Sequence, residues 1–261
     1  MKKKLLFLFL PLLSVLLISA YKKKVLPPGT VELSEGYYMD KMQISNAAWK
    51  EYVYWNKRTF GDSSVEYQTS KINYAGLQLN SALLELYYNH PAFDEYPLVI
   101  YNREKAQSYC KWRSDRVNEL LYLQRNKKTA ETKEDDSEIP QVFTYRLPTR
   151  QERSSIKAVP QKKIKRKLKS AQKWTNDETL NEKAAALKAL IPFIDLHEKG
   201  QENELGILNL HGEVAEHVSD AFIYIGDDGV YCIDDRDDDY APPLYKKAFA
   251  SFRCVCEGKA D

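Results

Sequence analysis

Apolar and polar residues alternate over Val31–Ser34 and an apolar run follows Gly36, so Val31 to Met42 predicts a short β hairpin or two strands entered from a turn at Pro27-Pro28-Gly29. The period then changes. Ala48, Trp49, Tyr52, Val53 and Trp55 recur at helical spacing, and Ser45-Asn46 stand where a helix cap is expected. Residues 56–88 are less regular and predict no particular element. His90-Pro91 and Tyr96-Pro97 bracket a turn before a predicted strand at Leu98–Tyr101. Asn102 can cap a predicted helix over Arg103–Asn118, on which Ala106, Tyr109, Cys110 and Arg113 share helical spacing. Residues 125–139 are charged and lack a hydrophobic period, the pattern of a surface loop or a short disordered insertion. An alanine- and leucine-rich stretch from Ala184 to Leu196 reads as a helix ending near Pro192.

The first twenty residues differ from the rest. Lys2, Lys3 and Lys4 precede an apolar run from Leu5 to Ile18, followed by the small residues Ser19 and Ala20. That order predicts a signal peptide over 1–20 and an exported protein, periplasmic or in the cell envelope. The alternative is an uncleaved anchor, which would be the chain's one contact with a membrane. The run is shorter than the ~20 apolar residues a spanning helix needs, and Pro11 interrupts it. The lysines at 22–24 act the other way, because they resist translocation. Tyr21 stands where a lipoprotein carries its acylated cysteine, so a lipid anchor is not expected.

Composition narrows the class. A length of 261 residues suits one large domain or two small ones. With 39 basic and 37 acidic residues the net charge is +2, which gives no reason to expect nucleic acid as a partner. Eighteen tyrosines and a mean hydropathy of −0.56 describe an aromatic-rich soluble chain. The basic run at 162–169 reads as a solvated helix face or loop. The acidic run at 234–239 lacks the glycine and glutamate spacing of a calcium-binding EF-hand loop and reads as a solvated loop. The histidines, His90, His197, His211 and His217, form no HExxH motif, and there is neither a nucleophile elbow nor a phosphate-binding loop. Cys110, Cys232, Cys254 and Cys256 allow three complete pairings, among which the sequence does not choose.

Five segments stand in a telling order: YYMDKMQISNAAWKEY at 37–52, PLVIYNREKAQSYCKW at 97–112, YRLPTRQE at 145–152, NLHGEVAEHVSD at 209–220 and SFRCVC at 251–256. Together they resemble the formylglycine-generating enzyme family, the sulfatase-modifying domain. The resemblance implies an α+β fold, a single domain over residues 26–257 similar to a C-type lectin and rich in irregular structure, with the charged insertion near 125–139. It also implies a Cys110–Cys254 disulfide, closing a loop of about 144 residues and stabilising the domain by ~4–5 kcal/mol in the chain-entropy picture. Arg146, Leu147, Pro148, Thr149 and Glu152 form the family's structural signature, with proline and threonine starting a helix and the arginine paired inside the domain. After Glu152 the family carries tryptophan, and here the residue is Arg153. A calcium site would take Asn209, the carbonyls of Gly212 and Val214, and Glu216, all hard oxygen donors. Glu213, Ala215 and His217 depart from the family's asparagine and two tryptophans there. The patterns at 90–99 and 110–113 further resemble relatives attached to gliding-motility and secretion machinery.

The family's chemistry rests on an RGGSW turn and two cysteines five positions apart, which bind copper(I) through soft sulfur. Here IGDDG at 225–229 is the nearest remnant of the turn. Cys232 is the one, weak, catalytic candidate, and Asp237 occupies its partner's position. Cys256 follows the FR segment, outside the family pattern, and could instead pair with Cys232 as a second disulfide. The resulting expectation is a non-catalytic domain, an exported envelope binding or scaffold protein whose partner is an envelope protein or glycan, in gliding or secretion machinery. The alternative is a divergent oxidase converting a substrate cysteine to formylglycine, and only then is copper expected.

Overall fold

The predicted hairpin forms. Strands β1 (Thr30–Ser34) and β2 (Tyr37–Asp40) pair antiparallel across a turn in which Gly36 adopts φ +71. A side chain at Gly36 would be strained twice over, since its Cβ would also lie 3.0 Å from the Gly258 carbonyl oxygen. The computed structural model describes residues 25–72, 81–100, 102–127, 139–164, 174–190, 200–208, 210, 215–220, 222–226, 229–233 and 250–259. The segment at 1–20, most of the 125–139 insertion, the acidic run at 234–239, His197 and His211 therefore lie outside the described residues.

Helices follow in the order α1 (Asn46–Phe60), α2 (Val65–Ser70), α3 (Ser81–Asn89), α4 (Arg103–Asn126), α5 (Arg150–Lys157) and α6 (Glu178–Leu190). Ser45 caps α1 by accepting from the Ala48 amide, and Asn102 caps α4 by accepting from the Lys105 amide, as their positions in the sequence suggest. Four expectations need correction. Leu98–Ile100 joins no strand; it is an extended segment whose Leu98 and Ile100 amides donate to Ile44 and Ala250 at 2.8 and 2.7 Å. Helix α4 runs eight residues past Asn118, and α6 begins six residues before Ala184, where Asp177 accepts from the Leu180 amide. The basic run starts as strand β4 (Gln161–Ile164), paired with β5 (Gly200–Asn203), rather than as helix or loop. Residues 56–88, unassigned by pattern, hold the end of α1, α2 and α3, whose Leu84 and Tyr87 pack against Ala184 and Leu187 of α6.

Strands β3 (Phe143–Arg146) and β10 (Val255–Gly258) complete an antiparallel sheet in the order β1-β2-β10-β3. A second sheet is built from β6 (Ala215–His217), β7 (Phe222–Gly226), β8 (Gly229–Ile233) and β9 (Ala250–Ser251), in the order β8-β7-β6-β9. Only β6 and β9 run parallel among its pairs. The core between the first sheet and the helices is aromatic. Trp49 stacks on Tyr109 with centroids 5.6 Å apart, and Phe252 meets both rings edge-on.

The free edge of β3 is closed by a side chain instead of a strand. Buried Asn118 of α4 accepts from the Val142 and Phe143 amides at 2.9 Å each and donates to the Phe143 carbonyl at 2.7 Å. Ser114, one turn earlier, accepts from the Tyr145 amide at 2.8 Å. An unpaired buried amide costs roughly 1–3 kcal/mol. Replacing Asn118 with alanine strands the Phe143 amide and carbonyl, the Val142 amide keeping the Pro140 carbonyl at 3.1 Å, so a loss of about 3 kcal/mol is expected. Equilibrium denaturation with urea checks this, since a midpoint unchanged from wild type would show the edge to be satisfied some other way.

Candidate functional site

The signature at 146–152 builds a helix start. Thr149 caps α5, accepting from the Glu152 amide at 3.2 Å while Glu152 accepts from the Thr149 amide at 2.7 Å, a reciprocal capping box. Arg146 clamps Glu152 at 2.7 Å and also reaches Glu257 of β10 at 2.6 Å, so it ties the helix to the sheet. Its hydrogen bonds are the main reason the Glu152 carboxyl sits at about 2. Leu147 is buried beside them.

One residue on, Arg153 turns inward. It is 1% exposed, and Glu216 on β6 and Arg253, between β9 and β10, are 0% exposed. Arg153 donates through Nε to Glu216 Oε2 at 2.5 Å. Arg253 donates to Glu216 Oε1 through Nε at 2.9 Å and Nη2 at 2.8 Å. Gln43 Nε2 donates to the same oxygen at 2.9 Å. The two guanidiniums also hold the neighbouring chain, Arg153 on the Leu210 carbonyl at 2.9 Å and Arg253 on the Leu208 carbonyl at 3.1 Å. Burial pushes the Glu216 carboxyl up, but the charges of Arg153 and Arg253 and their hydrogen bonds outweigh it and hold it at about 2.

This geometry bears on the calcium expectation. Asn209, Gly212 and Val214 lie outside the described residues. Glu216 is described, and both its oxygens are already engaged by arginine. A divalent cation at that carboxylate would face two guanidiniums in a dry interior, so Glu216 does not fit a calcium ligand here. No group of three or more metal-ligating side chains occurs among the described residues. His217 is structural, with Nε2 2.8 Å from the Ile100 carbonyl oxygen, and His90 Nδ1 accepts from the Ala92 amide.

The cysteines divide by sheet. Cys110 of α4 faces Cys254 with sulfurs 3.1 Å apart, both buried in the aromatic core. Burial and the hydrogen bond from Cys110 raise the Cys254 thiol well above its ordinary range. Cys256 is in the same core, its thiol pushed up to about 12 by burial. Cys232 is on β8, an outer strand of the other sheet, in register with Ile223. Copper(I) requires thiolates, and burial disfavours that form of Cys254 and Cys256. Asp237 lies outside the described residues and would in any case offer hard oxygen.

Sequence reasoning missed Arg153, Arg253 and Gln43. The one signal available was an arginine at 153 where the resemblance leads to tryptophan. Acid titration reads the cluster directly. The Glu216 carboxyl lies near 4.5 when unfolded and at about 2 when folded, so its contribution is complete above pH ~4.5 and is lost as pH falls toward 2. That difference corresponds to about 3 kcal/mol. Chemical denaturation between pH 7 and 2 should show this decline, and the Glu216→Gln variant should start less stable and fall less steeply.

No curated protein and no solved structure matches the chain. Residues 14–253 match the sulfatase-modifying factor enzyme 1-like domain, and on that match, which takes in both sheets as far as Arg253, the protein belongs to this family.

Proposed function

We propose that this protein is a non-catalytic member of its family, an exported binding or scaffold module of the cell envelope. The observation that carries the reading is the fate of its sulfur. Three of the four cysteines are buried in one core, and Cys232 has aspartate where the oxidase chemistry needs a second thiolate. The order of lysines, apolar run and small residues over 2–20 supports export. In an oxidising compartment the Cys110–Cys254 pair would close as a disulfide, giving up two protons and two electrons to that compartment's thiol oxidants. The partner is an envelope protein or glycan, with gliding or secretion machinery as the setting the sequence patterns favour. Phe93 and Tyr96 of the first pattern are core residues, and Arg113 of the second pairs with buried Asp40 at 2.7 Å. Those patterns therefore support a shared fold more than a shared contact.

A copper(I) titration of the purified protein, with thiols counted before and after denaturation, tests this. We expect no tight copper binding, Cys110 and Cys254 unreactive unless reduced, and no conversion of cysteine-containing peptides to formylglycine by mass spectrometry. Tight copper at Cys232 together with such conversion would make the protein a divergent oxidase.

A further inference from the structure

We propose that Arg153 is a built-in counter-ion for Glu216, so that the chain at Leu208, Leu210 and Glu216 is held by guanidinium groups and independent of calcium. A carboxylate buried this deeply has to meet positive charge. Arg253 supplies one such charge and Arg153 a second, from the opposite oxygen. Oε1 already accepts from Gln43 and from two nitrogens of Arg253, so its lone pairs are occupied. The cluster carries a net charge of about +1, from two arginines and one glutamate, and a calcium ion would raise that to about +3 without water to screen it.

The arginines also engage backbone carbonyls, while those of Gly212 and Val214 lie outside the described residues. Backbone carbonyls are ordinary calcium ligands, and those of Leu208 and Leu210 point at guanidinium nitrogens instead. Calcium would coordinate carboxylate and carbonyls around one centre. Here two planar forks gather them from either side, each bridging Glu216 to one carbonyl. The fit leaves a remainder: Arg153 Nη1 is buried without a hydrogen-bond partner among the described residues, as expected where a five-donor fork serves a small site. Unlike a bound ion, this tie cannot be removed by a chelator.

The test uses the full chain and reads stability and calcium binding, so its outcome is independent of whether the protein is a scaffold or an oxidase. Thermal unfolding is followed in millimolar calcium chloride and in EDTA, with isothermal titration of calcium alongside. We expect no binding heat and midpoints agreeing within about 1 °C, because a ligand that does not bind the native state cannot shift it. A calcium-induced rise of about 5 °C or more that disappears in Glu216→Gln would overturn the proposal. A rise that persists unchanged in Glu216→Gln would arise elsewhere and agree with it. Arg153→Met is expected to lower the midpoint by about 10 °C, and Arg153→Lys to recover part of that loss. A midpoint for Arg153→Met within about 2 °C of wild type would also overturn the proposal. If that variant does not fold, the calcium comparison on the wild type decides alone.

Discussion

Two arginines and a glutamate share a space from which water is excluded, and most of the tertiary arrangement answers to that constraint. Removing such charges from water costs several kcal/mol per ion, recovered only when each finds well-placed partners. The partners come from places far apart in the chain: α5 with Arg153, the 208–210 segment through its carbonyls, β6 with Glu216, the residues before β10 with Arg253, and Gln43 ahead of α1. None of these can move alone without leaving a charge unpaired. The cluster therefore fixes the relative placement of the two sheets and the helix start between them. What it holds together includes every residue the family resemblance singles out between 145 and 152.

Much of the fold was legible because its local devices use short-range chemistry. Ser45, Asn102 and Thr149 each cap the helix expected of them, since the side chain and the amide it satisfies lie three residues apart. Arg146 and Glu152 were readable as members of the family's signature, but not as each other's partners. The extent of α4 was not legible. Its second half carries Val117, Leu120, Leu121, Tyr122 and Leu123, the last four only half-buried or exposed, while Asn118 and Ser114 fasten the helix to the edge of β3. The role of Arg153 was least legible of all. A charged residue in an amphipathic segment ordinarily faces solvent, and its inward turn is set by a glutamate 63 residues away.

The site shows the same division. The cysteines could be counted and their spacing compared with the family's, which was enough to find the oxidative pair missing. Their environment could not be read. That Cys254 and Cys256 share one core with Cys110, under a stack of Trp49, Tyr109 and Phe252, follows only from the packing of α4 against the first sheet. The glycine turn near 212 carried a metal reading on sequence grounds because glutamate and asparagine are oxygen donors. The fold answers with cations of its own at the glutamate.

The position of β10 has a consequence for the order of events in the cell. It lies between β2 and β3, yet it is made after both and after every other strand of the two sheets. Until residues 255–258 are available, β2 and β3 have no common neighbour, and Asp40 lacks the Cys254 amide that bonds it at 2.7 Å. A nascent chain cannot close its first sheet early, and long-range strand pairing of this kind is slow. The first sheet thus stays open through most of the polypeptide's synthesis, and its two halves are joined by the last strand to be made.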